Sequence, residues 1–218
     1  MSFTLYNHVL DADCYKVRLM AALLGVKPDL AAVDIHPRQE NLSDAFLALN
    51  PAGTLPVAVA GDLVLRDAPS ILVWLALTAD VTERWHPRDP GPMAGLQQWL
   101  GFSHRLAATA GAARLEAMLG WPAPEAAAAE AEDCLRQLEL HLALGHLEGR
   151  DWLVGRHPTV ADIACFADVA LSPDAGLLHD GLPFVRGWLW RIRALPDFLP
   201  MPGIGPLHEL ADPATGRR

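Results

Sequence analysis

The sequence predicts an α/β domain built on a four-stranded mixed sheet, followed by an all-helical domain. Three observations carry this reading. Strand and helix signals alternate over the first 80 residues, a proline-rich stretch "ERWHPRDPGP" interrupts them at 83–92, and apolar spacing beyond it is helical. The α/β domain is accordingly placed at residues 1–80, a linker at 81–90 and the helical domain at 91–218, with an irregular tail from about residue 196.

Phe3–Tyr6 has the β-prone residues of a short strand. From Cys14 to Leu24 the period changes: Cys14, Val17, Ala21 and Leu24 recur at helical spacing, and Gly25 and Pro28 end the helix. Leu30–Ile35 reads as a second strand, parallel to the first because a helix connects them. A short helix is expected at Ser43–Leu49. "VAVA-GD-LVLR" then has the two-residue loop of a tight hairpin, and a helix over Pro69–Leu77 completes the domain. The helical domain reads as a long segment from Met93 to Met118, broken near Gly111, then helices within 123–144, 158–171 and 182–195. Thr159 and Asp162 have the spacing of a capping box, a structural signal that starts the helix following it.

A chain of 218 residues with 51% hydrophobic and 20% charged residues is of ordinary globular composition. Its formal charge of −9 excludes a nucleic-acid backbone partner and disfavours an anionic membrane surface. Cys14, Cys134 and Cys165 are odd in number and have neither disulfide-framework nor metal-ligand spacing, and the histidines have none either. The uncharged stretch Ala68–Ala79 is too short to cross a bilayer, and the N-terminus lacks the features of a signal peptide. A reducing cytoplasm is the expected compartment.

Four segments in order, "CYKVRL", "AFLALNPAGTLPV", "LRDAPSILVWLA" and "WLVGRHPTVADIA", resemble the glutathione transferase family across nearly the whole chain. The likeness is greatest to bacterial members of its theta-like, serine-using branch. The resemblance implies a thioredoxin-like N-terminal domain, an all-helical C-terminal domain and a homodimer. It also implies glutathione as co-substrate, no metal, and detoxifying conjugation to a small hydrophobic electrophile.

Carried over by position, the resemblance assigns glutathione's cysteinyl backbone to the main chain of Leu55, before a cis Pro56, as an added strand would pair. Asp67 matches the acid that meets the γ-glutamyl ammonium. Ala68 offers an amide at a helix N-terminus. Asn41, with Gln39 and Arg38 nearby, falls where relatives contact the glycine carboxylate. The electrophile is expected in an apolar cleft between Val9 in the first loop and the long helix around Trp99, Phe102 and Ser103.

Two serines of the family pattern are replaced. Ala68 lacks the hydroxyl that would hold the γ-glutamyl carboxylate, a hydrogen bond of roughly 1.5–3 kcal/mol, unless Ser70 substitutes. Asp11 stands where the family's catalytic serine donates to sulfur, and an ionised carboxylate donates nothing. Weak conjugation is therefore expected. Asp11 or Asp13 serves as a helix N-cap on this reading, and the donor to sulfur is left among Asn7, His8 and a backbone amide. Two alternatives stand beside transfer: a disulfide or peroxide reductase using Cys14, and a non-catalytic binding protein on the same fold.

Overall fold

The computed structural model describes residues 1–204; the expected irregular tail lies outside the described residues from position 205 onward. Strands β1 (Thr4–Asn7), β2 (Asp29–Ala32), β3 (Val57–Ala60) and β4 (Leu63–Leu65) form one sheet in the order β2-β1-β3-β4. β1 and β2 are parallel, as their helical connection α1 (Ala12–Leu23) requires, and the β3–β4 hairpin is antiparallel. The sheet is mixed and four-stranded, and the N-terminal half is thioredoxin-like. β2 stops at Ala32 rather than running to Ile35. Its partner among the described residues, β1, ends at Asn7, whose carbonyl accepts a last ladder bond from Val33 at 2.9 Å.

Side chains alternate across the sheet, so each face has its own core. Leu5 and Ala58 point toward α1 and α3 (Ala68–Ala79), where Val17, Met20, Ile71 and Leu72 are fully buried. Tyr6 and Val57 point the other way, onto Phe46 of α2 (Asp44–Leu49). Asp67 caps α3, whose helical span reaches one residue before and two beyond the expected one.

The helical half comprises α4 (Pro90–Leu106), α5 (Ala112–Leu119), α6 (Ala127–Leu147), α7 (Val160–Leu171) and α8 (Pro183–Arg193). The break expected near Gly111 is a π-helical turn over Ala107–Gly111 that joins α4 to α5 without ending the helix. α7 is buried on nearly every residue and forms the centre of this half. Its start closes the Thr159–Asp162 capping box, with the Thr159 amide donating to the Asp162 carboxylate at 2.8 Å. Asp162 also accepts from the Leu153 amide at 3.0 Å and from the Trp188 indole at 2.9 Å.

A buried ion network joins the two halves. Lys16 of α1 donates at 2.6 Å both to Asp13, one turn back, and to Asp168 of α7. Burial alone would lower the Lys16 pKa, but Asp168 and Asp13 reverse this and hold its ammonium above the ordinary range. Gly111 makes room for Asp168: a Cβ there would lie 3.1 Å from the carboxylate oxygen.

Candidate functional site

The loop between β1 and α1 is shaped by competition for a few donors. Asp11 is the N-cap of α1, its carboxylate accepting from the Cys14 amide at 2.7 Å, while Asp13 is paired with Lys16. Burial, with Asp13 next, pushes the Asp11 carboxyl above its usual range. Cys14 is fully buried, and burial followed by the neighbouring Asp11 raises its thiol well above the ordinary value. The His8 amide reaches its sulfur at 3.5 Å. Arg18 fastens the loop from below, donating to Asn7 Oδ1 at 2.7 Å and to the Val9 carbonyl at 2.8 Å.

The chain entering β3 is held by two asparagines. Asn50, 2% exposed, donates to the Thr54 carbonyl at 2.8 Å and accepts from Ala52. Asn41 donates to the Gly53 carbonyl at 2.8 Å, which fixes its side chain against this loop. The Leu55–Pro56 bond is cis. Leu55 lies outside the ladder, because the β1–β3 pairing ends at Tyr6–Val57. Gly53 has φ +63°, and a Cβ there would sit 2.9 Å from Leu42 and 3.2 Å from the Asn41 carbonyl. Gly53→Ala is therefore expected to cost about 1–3 kcal/mol in urea unfolding; an unchanged midpoint would contradict the steric account.

Asp67 and Ala68 begin α3. The Asp67 carboxylate accepts from both the Ser70 amide, at 2.8 Å, and the Ser70 hydroxyl, at 2.6 Å. Ser70 therefore spends its hydroxyl on Asp67. The Ala68 amide remains at the positive end of a three-turn helix. Asp67, Pro69 and Ser70 border a wide depression between α3 and α4 that continues past Trp74, Leu100 and His104.

A narrower cleft of about 160 Å³ opens beside the first loop. His8, Asp11, His36 and Arg114 are its polar members, and Leu10, Ile35, Leu115, Met118 and Leu119 supply apolar walls. Arg114 closes one end, donating to Asp174 at 2.8 Å and to the Leu10 carbonyl at 3.3 Å. Burial lowers the His8 pKa, with Asp34 opposing and Arg18 assisting.

The structure brings Asp11 to this cleft but not Val9, Trp99, Phe102 or Ser103. Trp99 and Phe102 line a separate groove against His141 of α6, and Ser103 is buried with its hydroxyl on the Leu100 carbonyl. Val9 itself is 57% exposed. The wall facing residues 8–11 comes from α5, one helical segment later than the sequence suggested. Its signal was present in "ARLEAML", where Leu115, Met118 and Leu119 form an apolar stripe beside a lone arginine. Asn50 gave no comparable signal.

Two family models match the chain: the glutathione S-transferase N-terminal domain over residues 14–78 and the glutathione S-transferase C-terminal domain over residues 106–196, together well over half its length. Among characterised proteins, glutathione S-transferase theta-1 of Bos taurus is 29% identical, across 89% of this chain and 83% of the relative. Theta-1 of Homo sapiens is 28% identical over the same shares. Among solved structures, a possible glutathione S-transferase from Rhodopseudomonas palustris superposes with a TM-score of 0.79 at 28% identity, covering 91% of this chain and 97% of the other. A glutathione S-transferase from Xanthobacter autotrophicus gives the same TM-score and identity, covering 96% and 100%.

Proposed function

Because this chain belongs to the glutathione S-transferase family, we propose that it is a transferase joining glutathione to a small hydrophobic electrophile. The observation that carries the proposal is the arrangement around Leu55. A main chain free of the ladder stands between the α3 N-terminus at Asp67–Ala68 and the cleft at His8–Asp11. An extended tripeptide lying along Leu55 and Pro56 reaches both ends. Its γ-glutamyl ammonium meets Asp67, its α-carboxylate meets the Ala68 amide, and its sulfur points to the loop after β1. Asn41 lies at the other end of the tripeptide, toward the glycine carboxylate.

The electrophile occupies the apolar part of the same cleft, against Leu115, Met118 and Leu119. Conjugation then follows from proximity of a thiolate to an electrophilic atom in a partly desolvated site. Glutathione is the co-substrate and no metal takes part. The reaction is slow relative to serine-bearing relatives, since the Asp11 carboxylate already accepts a hydrogen bond and Ala68 brings no hydroxyl. A reductase working through Cys14 is disfavoured by the burial and raised thiol of that residue.

A homodimer in the cytoplasm completes the reading. The α3–α4 depression displays Trp74 and the 56%-exposed Leu77, an apolar surface fit for a second copy. Among the described residues, no helix is long and apolar enough to cross a membrane.

Calorimetric titration with glutathione tests the core of this proposal. A dissociation constant at or below the millimolar range is expected, and one well above it would remove the transferase and reductase readings together.

A further inference from the structure

We propose that His8 is the catalytic donor that holds the glutathione sulfur as a thiolate, taking the place of a hydroxyl at the mouth of the cleft. The inference rests on the transferase reading above and adds the residue that activates the co-substrate. Conjugation needs the anion, whereas a free thiol has a pKa of about 8.5 and is mostly protonated at neutral pH. Activation breaks the S–H bond heterolytically: the proton leaves to water, the electron pair stays on sulfur, and a donor must then stabilise the charge.

The structure already commits several of the other polar groups around the loop. Asp11 is an acceptor committed to the Cys14 amide, so that amide is also taken. Asn7 is buried, and Arg18 holds its carbonyl oxygen, which fixes the orientation of its amide group. Ser70 is spent on Asp67, and Arg114 is anchored through Nε to Asp174 and through Nη1 to the Leu10 carbonyl. His36 makes a T-shaped ring contact with Trp121.

His8 differs from all of these. It is the residue directly after β1, it lines the cleft beside Leu10 and Asp11, and its Nδ1 is shielded from water without a hydrogen-bond partner among the described residues. A shielded N–H with no acceptor costs more than a shielded lone pair, because the donor loses its only bond to water. The neutral ring therefore carries its proton on Nε2, leaving a donor at the edge that is not shut in. Burial keeps the ring neutral near pH 7, against the attraction of Asp34 and with the repulsion of Arg18. A neutral donor suits this task, because it does not lose its N–H as pH rises toward the range in which thiols ionise.

The test is ultraviolet titration of the thiolate of glutathione bound to the unaltered protein, to His8→Ala and to His8→Gln. His8→Ala is expected to raise the pKa of the bound thiol by about one to two units, a roughly 10–100-fold loss of thiolate at neutral pH. The acidic limb of the pH profile of kcat/KM should move by the same amount. His8→Gln, which keeps an N–H donor, should retain most of the acidity. An unshifted thiol pKa in His8→Ala with binding intact overturns the assignment alone, as does a shift in His8→Gln equal to that of His8→Ala. Failure of the unaltered protein to bind glutathione removes this assignment together with the reading beneath it. Nitrogen-resolved imidazole spectra of the unaltered protein give a check that needs no variant: the proton belongs on Nε2, and finding it on Nδ1 overturns the proposal.

Discussion

Lys16→Met is expected to lower folding stability by about 3–5 kcal/mol, the usual effect of removing one partner from a buried ion pair. Lys16 is 2% exposed, and its ammonium donates at 2.6 Å to the Asp168 carboxylate, itself buried beside Gly111. Methionine fills similar volume, so the loss is electrostatic rather than steric. The stranded carboxylate must then stay ionised without compensation or take up a proton. Chemical denaturation at neutral pH measures the effect. Removing both charges, as Lys16→Met with Asp168→Leu, should restore stability to within about 1 kcal/mol of the parent. A single variant that unfolds at the parental urea concentration would show that the network adds nothing to the joint between α1 and α7.

Asp162→Ala is expected to cost a similar amount, about 3–5 kcal/mol. Its carboxylate is fully buried and collects the Thr159 amide and hydroxyl, the Leu153 amide and the Trp188 indole. Alanine leaves three buried N–H groups with no acceptor, each a penalty of about 1–3 kcal/mol. Asp162→Asn keeps an acceptor oxygen and should lose roughly half as much. Tryptophan fluorescence during urea unfolding follows the transition, because Trp188 is among the residues released. A loss below about 1 kcal/mol would mean that water replaces the carboxylate and that α7 does not depend on this cap.

Most of the architecture was legible because it rests on local chemistry. Gly61-Asp62 demanded the hairpin that β3 and β4 form, and the Thr159–Asp162 spacing marked the start of α7 within one residue. Cys14, Val17 and Ala21 lie buried in α1 as their spacing required, but so do Tyr15, Lys16, Leu19 and Met20, and Leu24 falls at the C-cap, half-buried. The misplaced strand end at Ile35 has a different cause. A strand's length is set by its partner, and nothing in "LAAVDI" records that β1 stops at Asn7.

The site divides in the same way. Asp67 and Ala68 could be placed because a helix start has a signature, and the Asp11 cap is local too. The far wall of the cleft could not. Whether Trp99 or Leu115 faces residues 8–11 depends on how the helix running from α4 into α5 is turned about its own axis, and both segments carry apolar stripes of the right period. Ser70 illustrates another limit: its proximity to Ala68 suggested a substitute donor, but the Asp67 carboxylate claims it. Competition between neighbours for one hydroxyl is decided by geometry, not by composition.

The π-helical turn at Ala107–Gly111 acts as a phase shifter. An α-helix advances about 100° per residue, so a turn that absorbs one extra residue rewinds everything downstream by that angle. Were α4 to run straight into α5 as a regular α-helix, Arg114 would swing off the Leu10 carbonyl, and Leu115 and Met118 would leave the wall. The shape of the cleft is thereby encoded as a miscount in a helix rather than in the side chains that line it.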